Sequence, residues 1–128
     1  FLLVSPPFVP HAEQDEWLRR SIDVALAAGA WAISLIPTRT GNGALEALAD
    51  EGMFCQPRLA DLERSVALAH ARASGSGARI FADLWDLHRF ANCVRCLDAR
   101  RDRLRAMNLE QRVLPQALCR QCQDQVTV

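Results

Sequence analysis

Three short, unbroken apolar runs punctuate the chain: "FLLVS" at 1–5, "WAISLI" at 31–36 and "ARIFAD" at 78–83. The first is closed by "PP" and the second by Pro37, so each reads as a brief buried strand. The segments between them carry a helical period. In "HAEQDEWLRRSIDVALAAG", Trp17, Leu18, Ile22, Val24, Ala25 and Ala28 share one broad face, and Glu16, Arg19, Arg20 and Asp23 share the other. Gly29 follows as a helix stop, where a left-handed backbone costs little. A short helix, "ALEALADEG", comes after the turn-rich "PTRTGNG" at 37–43. A longer one runs from Arg58 to Ala73, with Leu59, Leu62, Val66 and Ala69 at helical spacing, and "SGSG" at 74–77 breaks it.

The order is β-α-β-α-α-β, and unbroken strands alternating with amphipathic helices predict an α/β fold with a parallel, covered sheet. A complete (β/α) barrel needs eight strands and about 200 residues or more, whereas this sequence has 128. Residues 1–83 therefore read as a parallel β-α-β-α-β segment, part of a (β/α) barrel or open sheet. Residues 84–128 read as a helical appendix that carries cysteine pairs. The apolar run directly at Phe1 is expected to be a cut edge with further residues upstream.

Composition adds little to this outline. Half the residues are hydrophobic, aromatics are few and Ala is abundant, which favours close-packed helices. No apolar run reaches the ~18 residues of a membrane span, and no basic leader precedes Phe1. The expectation is a soluble, cytoplasmic protein with no membrane partner. Charge is informative in its distribution: residues 1–88 hold 7 Arg against 11 acids, and residues 89–128 hold 8 Arg against 4. The step coincides with the start of the cysteine segment.

"CVRC" at 93–96 and "CRQC" at 119–122 contain four of the five cysteines, with 22 residues between the pairs. A C-x-x-C turn presents two sulfurs to one ion and a second turn completes a tetrahedron. Cys93, Cys96, Cys119 and Cys122 are thus the expected ligands of a structural Zn2+. Four thiolates leave no open position for water, so such an ion holds the chain together and catalyses nothing. Four cysteines could also hold an iron–sulfur cluster, or one pair could be a redox dithiol. Cys55 stands apart, and His88, five residues before Cys93, could replace one ligand. His11 and His70 have no partner pattern.

"LDARRDRLRAMNLEQR" between the pairs reads as a helix, supported by the i,i+3 pairs Asp98–Arg101 and Asp102–Arg105. Its arginines form either a solvated, salt-bridged face or a basic patch for RNA or DNA phosphates through Arg101, Arg103 and Arg105. In parallel α/β architectures ligands gather at the carboxyl ends of strands. The "PTRTGNG" loop sits at one such end, with Gly41 and Gly43 permitting close approach, hydroxyls on Thr38 and Thr40, and a guanidinium fork on Arg39. It matches neither the P-loop nor the dinucleotide fingerprint. Asp83 and Asp86 at the third strand end could bind a ligand hydroxyl or cap the next turn.

Through the strand and loop "LIPTRTGNGALEAL" and the ending "VLPQALCRQC", the chain resembles the C-terminal portion of radical S-adenosylmethionine (SAM) proteins. The similarity is to the elongator and archaeosine-synthase-like branch, which acts on or near tRNA. The resemblance implies that the strands are the last ones of a partial (β/α) barrel. It also implies that Ser34, Thr38, Arg39 and Asn42 contact SAM, and that tRNA or another RNA is a partner. It departs from the family in one respect: the C-x-x-x-C-x-x-C motif that binds the [4Fe–4S] cluster is missing. SAM cleavage would need a cluster-binding half that these residues do not supply. The alternatives are a zinc-binding RNA- or protein-interaction module without catalysis of its own, and a small ligand-binding α/β domain with the same zinc staple.

Overall fold

A computed structural model describes residues 1–122. The three apolar runs form β1 (Leu2–Val4), β2 (Ala32–Pro37) and β3 (Arg79–Ala82). The helices are α1 (Gln14–Ala27), α2 (Ala44–Asp50), α3 (Leu59–Arg72) and α4 (Leu97–Glu110), with 3-10 turns at His11–Glu13 and Leu87–Phe90. Gly29 follows α1 at φ 87°, a conformation in which a side chain would be strained. The expected element order holds, and α4 fills most of the segment between the cysteine pairs.

The sheet is parallel throughout, in the order β1-β2-β3. Its register aligns Val4 with Pro37 and Ile33 with Ile80, so Val4, Ile33, Leu35, Ile80 and Ala82 point to one face. Leu18 and Ile22 of α1 and Leu59, Leu62, Val66 and Ala69 of α3 close over that face as one core. Ile22, Leu35, Leu62 and Val66 have no exposed surface. Each such aliphatic side chain contributes about 1.5–3 kcal/mol on leaving water. The opposite face carries Leu3, Ser34, Ile36 and Phe81, all at least partly exposed.

The buried stripe of α1 is narrower than its apolar positions suggest. Trp17 remains 45% exposed and Val24 70%, and the buried residues of α1 are Leu18 and Ile22.

The two edges of the sheet are treated differently. Along β3, the outward backbone groups are taken by side-chain amides of α4 and the residue that ends it. Asn108 accepts from the Ala82 N–H at 2.8 Å and donates to its carbonyl at 3.0 Å. Gln111, which ends the helix at φ 55°, does the same for Ile80 at 2.8 and 2.9 Å. Two carboxamides thus imitate a fourth strand and seal that edge, while Leu104 and Met107 of the same helix enter the core with no exposed surface. On the outer side of β1 no further strand is present among the described residues.

Candidate metal centre

Both cysteine pairs converge on one point. Cys93 and Cys96 lie in the turn entering α4, and the Cys96 carbonyl accepts the Arg100 N–H at 3.0 Å. Cys119 and Cys122 form a turn closed by the Cys122 N–H on the Cys119 carbonyl at 3.1 Å. The sulfurs interleave across the pairs: Cys93 to Cys119 is 4.0 Å, and Cys96 to Cys122 is 3.7 Å. All four lie within 4.8 Å of one another. A zinc–sulfur bond of about 2.3 Å in a tetrahedron requires sulfur–sulfur separations of about 3.8 Å, so the cage has the size a tetrathiolate ion needs. Cys96 and Cys122 are buried, and Cys93 and Cys119 are half-buried.

The protonation of the group suits a cation. Hydrogen bonding from Cys122 holds the Cys93 thiol down to about 6, from an ordinary 9.0. The same contact pushes Cys122 up, and burial pushes Cys96 up. Without a cation, one thiolate suppresses ionisation of its neighbours; a bound metal displaces their protons. The cysteines open α4, whose N-terminal dipole also favours negative charge. Behind them, the positive charge of Arg100 works against burial to lower the Cys96 thiol. Arg100 also grips Glu63 of α3 with Nε at 3.1 and 3.2 Å and Nη2 at 2.6 Å.

Other candidates lie elsewhere. His88 is exposed and faces Asp86 at 3.5 Å, and Cys55 is exposed with its sulfur near the Gln56 carbonyl. Neither joins the four cysteines, the set of grouped metal-ligating side chains found among the described residues.

Of the residues expected to meet SAM, Thr38, Arg39 and Asn42 follow the carboxyl end of β2, and these three have structural duties. Thr38 is buried and its hydroxyl donates to the Val4 carbonyl at 2.9 Å, tying β2 to β1. Arg39 lies between the Trp85 and Phe90 rings, at 5.3 and 5.4 Å. It pairs with Asp83 at 3.0 Å and donates to the Pro37 and Trp85 carbonyls. Asn42 caps α2 by accepting from the Ala44 and Leu45 N–H groups at 3.1 and 3.3 Å. Hydrogen bonding from its own backbone N–H, joined by the Gly41 and Gly43 N–H groups, holds the Glu46 carboxyl below the ordinary range despite desolvation working the other way. Ser34 is in the middle of β2, on the partly open face beside Phe81.

On α4 the Asp98–Arg101 pair forms, while no ion pair links Asp102 to Arg105 among the described residues. Arg103 does not belong to a solvent-facing patch, being only 9% exposed and turned inward. The buried arginines, Glu63 and the two edge amides escaped a reading by composition. The available signal was that residues 100, 103, 104, 107 and 111 recur at helical spacing on one face.

No helix is long and apolar enough to cross a membrane among the described residues. The chain matches no protein-family model, no curated protein and no solved structure.

Proposed function

We propose that this chain is the C-terminal part of a radical SAM enzyme, fastened by a structural Zn2+ on Cys93, Cys96, Cys119 and Cys122. The observation that supports this most is the asymmetry of the sheet. Its β3 edge is sealed by Asn108 and Gln111, as the last strand of a barrel segment should be. On the other side, the outer edge of β1 has no further strand among the described residues, a place for a preceding β/α unit. In this reading SAM lies against the partly open sheet face and strand ends, near Ser34, Thr38, Arg39 and Asn42. The residues present do not fit the [4Fe–4S] cluster of that chemistry: four close cysteines form a closed cage with no open iron site, and C-x-x-x-C-x-x-C is missing. Cluster and radical initiation belong outside residues 1–128.

The gene product that contains this sequence should carry C-x-x-x-C-x-x-C upstream of Phe1. When reduced, it should convert SAM to 5′-deoxyadenosine. Lack of that motif upstream would sink the enzyme reading. Zinc is tested separately by elemental analysis: one Zn2+ per chain is expected. Less than half an equivalent, with four titratable thiols, would remove the zinc claim.

A second reading, a zinc-stapled module that binds RNA, is favoured by exposed Arg95 and Arg120 within the two cysteine turns and exposed Arg105 on α4. Arginines facing solvent around one rigid point suit phosphate contacts, with affinity that falls as salt rises. Titration with tRNA should then show a salt-dependent association that Arg95→Ala, Arg105→Ala and Arg120→Ala together abolish. No association at low salt would exclude it.

A further inference from the structure

The two halves of the cysteine cage are delivered in unlike ways. Cys93 and Cys96 lead directly into α4. Cys119 and Cys122 come at the end of a segment without regular secondary structure. Among the described residues, positions 112–118 make no backbone–backbone hydrogen bond to the rest of the molecule. Leu114 packs against the core, while Val113, Pro115, Gln116 and Leu118 are exposed. A cavity of about 270 Å3 lies between α3, α4 and the strap, lined by Glu63, Arg64, Arg103, Val113 and Leu114 among others.

One side chain supplies the missing connection. Arg103 Nε donates to the Leu114 carbonyl at 2.9 Å and to the Pro115 carbonyl at 3.0 Å, and Nη2 donates to Leu114 at 2.7 Å. Among the described residues its Nη1 has no hydrogen-bond partner; it stands 3.7 Å from Glu63. Glu63 is itself gripped by Arg100, whose backbone N–H donates to the Cys96 carbonyl. The guanidinium is thus held from behind by a buried carboxylate while its donors fix two successive carbonyls of the strap.

We propose that Arg103 is a positioning residue for the metal centre. By clamping the strap at Leu114 and Pro115 it delivers Cys119 and Cys122 already directed at Cys93 and Cys96. The inference rests on the four cysteines binding a metal. A ligand pair arriving on a tethered strap loses less conformational freedom on coordination than one on a free chain. Outer-shell partners of metal ligands change affinity by about 10- to 100-fold.

The test uses Co2+ as a spectroscopic probe of tetrathiolate coordination, with affinity ranked by chelator competition. Arg103→Lys keeps the charge facing Glu63 but cannot span both carbonyls. It should bind Co2+ about 10-fold more weakly than the unaltered chain. Its saturated spectrum and the thermal midpoint of its metal-free form should be unchanged. The double variant Gln116→Gly, Ala117→Gly leaves Arg103 intact and loosens the strap beyond the clamp; it should lose about five-fold. Unchanged affinity in either variant would overturn the proposal. So would a weakening in Arg103→Lys matched by an equal loss of metal-free stability, which would make Arg103 a general packing residue. If the unaltered chain gives no tetrathiolate spectrum, the metal reading fails rather than the role of Arg103.

Discussion

At Glu63 one carboxylate faces two guanidiniums: Arg100 holds both its oxygens and Arg103 stands 3.7 Å away, with all three side chains at or below 10% exposure. Breaking a buried pair from one side strands the remaining charge and costs about 3–5 kcal/mol. Glu63→Ala should therefore lose about 3 kcal/mol in urea denaturation, whereas Arg101→Ala, whose Asp98 partner is exposed, should lose less than about 1 kcal/mol. His70 poses the opposite problem. Burial holds its pKa below the ordinary 6.5, and its enclosed Nε2 has no partner among the described residues. The unfolded chain then takes up a proton before the folded one, so stability is full above pH 6.5 and declines as pH falls below it. The urea midpoint should drop between pH 7 and 5, and His70→Gln should flatten that drop. Equal slopes for the two proteins would refute this account.

Among the elements, α4 has the most demanding task, since it must be a core helix, the entrance to a metal cage and the border of a sheet. Removing either edge amide leaves a backbone donor and acceptor of β3 without partners, at about 1–2 kcal/mol. Asn108→Ala and Gln111→Ala should each show that loss, with faster amide hydrogen exchange at Ala82 and Ile80 respectively. The strands, α1 and α3 were legible because burial on a parallel sheet demands unbroken apolar runs and helices with one apolar face. "CVRC" and "CRQC" were legible because two thiols at that spacing fit one ion. The inner face of α4 was not, since Arg100 and Arg103 are charged and pattern rules place charge outside. Only a carboxylate from α3 and two strap carbonyls make their burial tolerable, and neither is local in sequence. Arg39 is a similar case: its fork looked ready for a ligand, yet the aromatic pair and Asp83 that occupy it lie over forty residues away in sequence.

For the molecule as a whole, the four-cysteine cluster is joined through Arg100 of α4 to Glu63 of α3, so removal of a metal held there should be felt in the core. Chelation should lower the thermal midpoint, and the Leu104 and Met107 region should lose hydrogen-exchange protection before β2 does. An unchanged midpoint would show that cage and sheet are independent. The sealed border of β3 has a consequence of another kind. A bare strand edge in a partly unfolded chain is a template on which other chains add, the first step toward insoluble aggregates. Asn108 and Gln111 occupy that template with short side chains that offer no further edge. Protection of the β3 border against such addition thus rests on two amides near the end of a single helix.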